Sequence, residues 1–157
     1  MTPVTRTRRA SRLVFLSLAL VASLVLGACG SAAATPTPTF GPVVLDGTSW
    51  VLISYMTPDG TNYTVPMSVS PTAKFSGGQF SGFAGCNTFN GPYTQDGETI
   101  AIGPLSGTKA ACEPPLSVVE AAYVQALGAV NTAMAAGSTL RLVEQGGFSA
   151  LEFVRAN

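Results

Sequence analysis

The amino-acid sequence predicts an α+β domain in which an antiparallel sheet packs against one helix. Two observations on residues 43–157 predict this fold. Turns rich in glycine, proline and threonine recur roughly every 8–12 residues, with short apolar segments between them. One segment, after Pro114 and Pro115, instead repeats its apolar residues at three- and four-residue spacing, which is typical of a helix. About 115 residues are enough to bury one core without a metal.

Residues 1–28 have the three-part pattern of an export signal. Arginines are the only charged residues of the first 12 positions, and residues 13–26 carry no charge. An apolar run of about 14 residues is shorter than the ~20 residues that span a bilayer as a helix. Gly27 and Ala28 then supply small residues before Cys29. We therefore predict a cleaved signal peptide rather than a transmembrane anchor.

The four residues that end at Cys29 resemble the bacterial lipobox. This resemblance implies that the Cys29 thiol receives a diacylglyceryl group and that cleavage leaves Cys29 as the first residue. Each buried methylene of an acyl chain such as palmitate adds roughly 0.8 kcal/mol of membrane affinity. The alternative is an ordinary secretory signal with a chance cysteine. The lipobox predicts a protein anchored to the cell membrane by lipid and facing the extracytoplasmic side.

Residues 29–42 form a predicted tether between the lipid and the domain. Alternating threonine and proline favour an extended, polyproline-like chain, and Phe40 is its one large apolar residue. At ~3 Å per residue the tether spans roughly 30–40 Å. We place the folded domain at residues 43–157.

The mature chain is acidic although the whole sequence is neutral. Eight lysines and arginines balance eight aspartates and glutamates, but four of the cations lie in the signal peptide, which leaves 4 − 8 = −4. A domain without a basic patch cannot grip phosphates, so we expect no nucleic-acid partner.

The predicted strands alternate with turns along the whole domain. Gly77-Gly78 and Gly146-Gly147 are typical of hairpin turns. The predicted strands are residues 49–54, 61–65, 72–75, 79–83, 99–102, 105–108, 139–144 and 150–155.

The predicted helix follows the two prolines. Proline suits the first turn of a helix because the N–H groups of that turn have no partner inside the helix, so the missing N–H of proline costs nothing there. Glu120 lies early in the helix, near the positive end of its dipole. The apolar face favours packing against the sheet over a partner-binding groove. This face consists of Leu116, Val119, Tyr123, Leu127 and Val130.

A pattern around the second and third cysteines resembles a known family. Gly85-Cys86-Asn87 is followed by Thr108 and, four residues later, by Cys112. Together with matching positions elsewhere, this resembles the META domain of the bacterial HslJ-like heat-shock and lipoprotein family, over essentially all of residues 43–157. The further positions are Gly47, Trp50, Tyr93, Glu120, Tyr123, Leu140, Leu142, Leu151 and Phe153.

The resemblance implies an antiparallel sheet that curls into a half-open barrel with the helix against it. It also implies roles associated with heat-shock expression, antibiotic resistance, secretion or virulence. The resemblance assigns no catalytic residues and no cofactor to this chain. One departure is Lys109-Ala110-Ala111, where members often have a methionine before the cysteine. We expect this change to alter packing more than chemistry.

Cys86 and Cys112 predict a structural disulfide, since disulfides persist in oxidising extracytoplasmic compartments. Closing a loop of about 26 residues stabilises the fold by roughly 3–3.5 kcal/mol in the chain-entropy model. A redox couple is an alternative, although such couples usually have a C-x-x-C spacing. A zinc site is another, but it requires about two further ligands and the chain has no histidine.

Few other residues can carry chemistry. The absence of histidine excludes Ser-His-Asp and Cys-His catalysis. Asp96 and Glu98 flank a predicted exposed turn, so we interpret them as surface residues rather than a glycosidase pair. Asn87 and Asn90 either stabilise turns or form a candidate binding surface. Trp50 is expected in the core, with ligand stacking as the alternative.

The sequence therefore predicts a non-enzymatic, membrane-anchored lipoprotein that maintains the cell envelope or its stress tolerance through binding. Its partner would be an unidentified envelope protein or a small apolar ligand, and we expect a monomer without cofactor or metal. The alternative is a small-ligand or lipid carrier, or a protein like the secretion-pilot lipoproteins, with an apolar cavity in the half-barrel. An unrecognised hydrolase is a third alternative.

Overall fold

The computed structural model describes residues 37–156, so Cys29 and the predicted signal peptide lie outside it. The described chain contains eleven strands and one helix, α1 (Leu116–Ala129). The strands are β1 (Gly41–Pro42), β2 (Thr48–Met56), β3 (Asn62–Thr64), β4 (Thr72–Ser76), β5 (Gln79–Phe83), β6 (Thr88–Asp96), β7 (Thr99–Ile102), β8 (Ser106–Gly107), β9 (Val130–Ala136), β10 (Thr139–Glu144) and β11 (Ser149–Arg155).

Eight antiparallel strands form a barrel in the order β9-β10-β11-β2-β4-β5-β6-β7. The barrel closes where β7 returns to β9, through the pair Thr99 and Thr132 and a hydrogen bond that the Ala133 N–H donates to the Glu98 carbonyl. Three short strands lie outside this circuit, because β1 pairs with β9, β3 with β2 and β8 with β6. The predicted α+β fold with a curled antiparallel sheet is confirmed.

Large apolar side chains fill the inside of the barrel. Along β2 the buried residues alternate with partly exposed ones, as a sheet with one face in the core requires. Trp50 is fully buried, and its indole N–H donates to the Thr48 hydroxyl at 2.7 Å, so it anchors the core as predicted. Further fully buried side chains are Leu45, Phe75, Phe80, Ile100, Leu127, Leu140, Leu142, Leu151 and Phe153.

Helix α1 lies across one mouth of the barrel, which we call the helix end. The hydroxyl of the buried helical residue Tyr123 donates a hydrogen bond of 3.0 Å to the carbonyl of Thr72, at the start of β4. The buried face contains three residues of the predicted stripe, whereas Leu116 is half-buried and Val130 already begins β9. The buried helical residues are Val119, Tyr123, Ala126 and Leu127.

The opposite mouth, which we call the strap end, is covered by residues 40–47, the strap. Gly41 and Pro42 pair with Ala135 and Met134 of β9. The strap then reaches the start of β2 at Thr48. Residues 40–42, assigned to the tether from the sequence, therefore contact the sheet directly.

Three further contacts fix the strap. The Gln95 side chain accepts from the Leu45 N–H at 3.0 Å and donates to the Val43 carbonyl. Phe40 lies under the Arg141 guanidinium, 4.0 Å from the ring centroid. The Leu45 side chain is fully buried and plugs the mouth. Strand β6 runs between the two ends, and its nine residues extend over about 30 Å.

Two strands of the barrel were not predicted. β6 contains Gly91 and Pro92, and a proline within a strand weakens the pattern that identifies it. β9 is mostly small or polar, and it follows α1 without a turn residue between them. Both hairpin turns are confirmed, with Gly77 and Gly78 at φ of 57° and 74°.

Candidate functional site

The residues of the family pattern meet at the helix end, in the loop between β5 and β6. Gly85 has a φ of +99°, and a Cβ added to it would lie 2.7 Å from the Val69 side chain. Both the dihedral angle and the close approach require glycine here. The turn directs the next two residues, Cys86 and Asn87, towards the loop that precedes α1.

Cys86 and Cys112 form a disulfide, with their Cα atoms 6.3 Å apart. The bond joins the loop before β6 to the loop before α1, across 26 residues of sequence. Both cysteines are partly exposed. The disulfide therefore ties the base of the helix to the barrel.

Asn87 is the centre of a hydrogen-bonded cluster beside the disulfide. Its side-chain N–H₂ donates to the Ala110 carbonyl at 3.1 Å and to the Glu120 carboxylate at 2.9 Å. Its side-chain oxygen accepts from the Thr108 hydroxyl and from the Ala110 N–H, both at 2.7 Å. The Asn87 backbone N–H donates to the second Glu120 oxygen at 2.7 Å. We call Asn87, Thr108, Ala110 and Glu120 the Asn87 cluster.

The polar groups of this cluster bond to one another. Asn87 is 3% exposed, and both ends of its amide are already paired. Each Glu120 oxygen accepts one hydrogen bond from Asn87, and Glu120 itself is half-buried. Fully satisfied buried networks hold a structure in one arrangement. The cluster positions the loops around it.

The two candidate binding residues lie apart. Asn87 is buried, whereas Asn90 is exposed on β6 and paired through its backbone with Ser81 and Ser106. Asn87 lies in the loop before β6 and its side chain bonds within the Asn87 cluster, whereas Asn90 lies within the strand. Asn87 can shape a surface only through the loops that it positions.

Glu120 is the member of the cluster whose contacts the sequence did not indicate. Its carboxylate was expected to interact with the helix dipole, but it bonds to Asn87, 33 residues away. Asn87 and Glu120 both belong to the family pattern, and this shared membership was the signal that could have indicated their contact. Neither spacing nor helical periodicity predicts a contact over this distance.

Among the described residues no three histidine, cysteine, aspartate or glutamate side chains are placed to hold a metal ion. Asp96 and Glu98 are both exposed around the β6–β7 turn. Glu152 instead forms an ion pair with Arg141, at 2.9 Å. These carboxylates do not converge on a cleft.

The shifted titratable groups are also structural. Burial raises the pKa of Tyr123, whose hydroxyl is enclosed between α1 and β4. Burial, and then the neighbouring Asp46 carboxylate, raise the pKa of Tyr93. The Thr57 hydroxyl, with the Thr61 backbone, lowers the pKa of the exposed Asp59. Each of these three side chains hydrogen-bonds to a protein group that lies next to it in the fold.

Residues 37–156 contain no helix that is long and apolar enough to cross a membrane.

The described residues define a class of protein, a disulfide-braced antiparallel barrel plugged by one helix, with a polar cluster that joins its loops. The META domain family matches residues 43–157, and the chain belongs to this family. The eight strands of the barrel, the helix and the Asn87 cluster lie within the matched range, whereas β1 precedes it.

Two solved structures are similar to this chain. One is the NMR structure of a protein from Burkholderia xenovorans, which is 33% identical with a TM-score of 0.64 and covers 83% of this chain and 98% of its own. The other is a crystal structure of a DUF4847 family protein from Bacteroides vulgatus, 15% identical with a TM-score of 0.49, covering 71% and 94%. No curated protein matches this chain.

Proposed function

We propose that this protein is a membrane-anchored, extracytoplasmic META-domain lipoprotein that acts by binding, in maintenance of the cell envelope or in its stress tolerance. The anchor is Cys29, and the tether between Cys29 and Phe40 sets the distance to the lipid. The observation that carries the proposal is the saturated Asn87 cluster. The buried Asn87 of the family pattern uses both ends of its amide to join the surrounding loops and the helix, which supports a structural role for this cluster.

The acidic character of the domain supports a protein partner rather than a nucleic acid. Four cations stand against eight acidic residues after the signal peptide, and one of them, Arg141, is paired with Glu152. Phosphate backbones require several cations on one surface.

The packed interior favours binding through the outer surface. A carrier of lipid or of a small apolar ligand needs an open apolar chamber. Here the barrel axis is occupied by fully buried side chains such as Trp50, Phe75 and Leu140. We therefore do not propose the carrier function as the main activity.

The test compares the wild type with Cys29→Ala in the native cell under envelope stress. We expect the variant to fold, to be released from the membrane and to lose stress tolerance. Fusing the Cys29→Ala chain to an unrelated transmembrane anchor should restore tolerance, because the proposal requires attachment and not the lipid itself. Full tolerance from the released protein would contradict the proposal.

A further inference from the structure

Exposed large apolar side chains are concentrated at the helix end of the barrel. Five such residues occur in the described chain, and four belong to elements at this end, whereas Val44 lies in the strap. Single exposed apolar residues are ordinary, but a group of them marks an interaction surface. The four are Tyr63 on β3, Met67 in the loop between β3 and β4, Val118 in α1 and Phe148 in the β10–β11 turn.

A groove lies between α1 and the strand ends next to it, and we call it the helix groove. Its volume is about 60 Å³. At roughly 10–15 Å³ for each water, this is the space of about four to six waters, or one aliphatic side chain. Its apolar walls are Met56, Ala122, Ala126, Ala129 and Ala150.

One exposed aromatic residue lies next to the helix groove. The Glu144 N–H donates to the Phe148 carbonyl, and Glu144 itself lines the groove. Tyr63 does not face the groove, because its ring stacks on the buried Tyr55 with the ring centroids 5.5 Å apart. An exposed aromatic side chain beside a small pocket is typical of an interface hot spot.

The charge around the groove is negative. Glu144 lines it, and Asp59 directly follows the groove residue Pro58. No lysine or arginine lines the groove, and the salt bridge found in the described chain uses Glu152, not Glu144. A partner that complements this surface brings apolar side chains and positive charge together.

We propose that the helix groove docks a basic amphipathic segment of a partner protein. One apolar side chain enters between Ala126 and Ala150, and a lysine or arginine of the partner faces Glu144. This inference rests on the proposed function, since it names the binding surface of the tethered domain. The strap joins the sheet where Gly41 pairs with Ala135, and the groove residue Glu144 pairs with Val130, 135 − 130 = 5 residues away along β9, a spacing of about 17 Å.

The test uses the full-length lipidated protein in phosphatidylcholine nanodiscs and two synthetic helical peptides. Both peptides carry leucines at positions i, i+3, i+4 and i+7, and they differ only in having lysine or glutamate elsewhere. Binding is measured by fluorescence anisotropy. We expect the lysine peptide to bind and the glutamate peptide to bind at least about tenfold more weakly.

Three variants locate the binding. We expect Phe148→Ser and Ala122→Gln each to weaken lysine-peptide binding about tenfold, and Glu144→Gln about threefold. Val44→Ser is the matched control, because it removes an exposed apolar side chain at the strap end, and its affinity should equal that of the wild type. If Ala122→Gln fails to fold, Phe148→Ser still tests the proposal because Phe148 lies in an exposed turn.

Several results would overturn the proposal. Equal binding of the two peptides, no binding, or an equal loss in Val44→Ser would show that the helix groove is not the site. Dimerisation that Phe148→Ser abolishes in sedimentation velocity would assign the surface to a second copy. Binding of the Cys29→Ala chain to phosphatidylglycerol vesicles, lost in Phe148→Ser, would assign it to lipid.

The two proposals fail in different ways. If Cys29→Ala keeps full stress tolerance while the groove variants lose the lysine peptide, the anchored function is wrong and the docking surface stands. If Cys29→Ala loses tolerance while the groove variants bind the peptide as the wild type does, the docking surface is wrong.

Discussion

The two mouths of the barrel are closed by different kinds of contact. At the strap end, an extended segment from the tether is held by short backbone pairing, by Gln95 and by the Phe40–Arg141 contact. At the helix end, a helix, a disulfide and the Asn87 cluster connect parts of the chain that are 21 to 33 residues apart. The strap-end contacts join residues even further apart in sequence, by 50 positions for Leu45 and Gln95 and by 141 − 40 = 101 for Phe40 and Arg141, so the two mouths differ in the kind of bond and not in its range.

Removing the disulfide should give the largest loss, and only the helix end should loosen. We expect Cys86→Ser with Cys112→Ser to lower the free energy of unfolding by about 3 kcal/mol, because the unfolded chain regains the freedom of a 26-residue loop. Urea unfolding measures the loss, and Cys29→Ala serves as the control cysteine variant. An unchanged urea midpoint in the double variant would show that the bond does not brace the fold.

Asn87→Ala should have the next largest effect. It removes four side-chain hydrogen bonds, and partial access of water to Thr108 and Ala110 limits the loss to about 2–3 kcal/mol. Asn90→Ala, on the exposed face, should stay within about 0.5 kcal/mol of the wild type. Similar urea midpoints for the two variants would remove the distinction between the buried and the exposed asparagine.

Gln95→Ala tests the strap end, and its cost should be smaller. The variant loses three partly exposed hydrogen bonds, to Leu45, Val43 and Gly97, which amounts to about 1–2 kcal/mol. Hydrogen exchange should become faster at the Leu45 amide and stay unchanged at the Asn87 amide. Faster exchange at both amides would mean that the two mouths unfold together.

Tyr123→Phe should have the smallest effect at neutral pH, about 1 kcal/mol for one hydrogen bond. Its pH dependence is more informative. Burial raises the pKa of Tyr123 above the ordinary tyrosine value of 10.0, so its stabilisation is complete below pH 10 and is lost as the pH rises further. The melting temperature of the wild type should therefore fall more steeply above pH 10 than that of Tyr123→Phe. Identical slopes would contradict the burial of this hydroxyl.

Local chemistry made much of the fold predictable. The glycine pairs at positions 77–78 and 146–147 define hairpins by themselves, because positive φ values favour glycine. The helix was predictable from its spacing. β6 was not, because Pro92 interrupts its pattern, and the family resemblance rather than the local pattern indicated that the sheet curls.

The contacts of the candidate site were less predictable because they are non-local. Cys86 and Cys112 could be paired by elimination, but nothing in the spacing joins Asn87 to Glu120. Phe40 lies in the predicted tether as its one large apolar residue. Its contact with Arg141, a hundred residues further along the chain, could not be predicted from the local pattern. The helix groove likewise combines side chains from four separate elements and the turn after β2.

The pairing of β1 with β9 has a consequence for solubility. Strand β7 pairs with one edge of β9 at Thr132. Further along the same edge of β9, Gly41 and Pro42 pair with Ala135 and Met134. Free strand edges pair with other chains and start aggregation. The end of the tether covers this edge, and Pro42 has no N–H to offer to a further strand. A chain shortened to start at residue 43, where the family match begins, would expose the edge to edge-to-edge association.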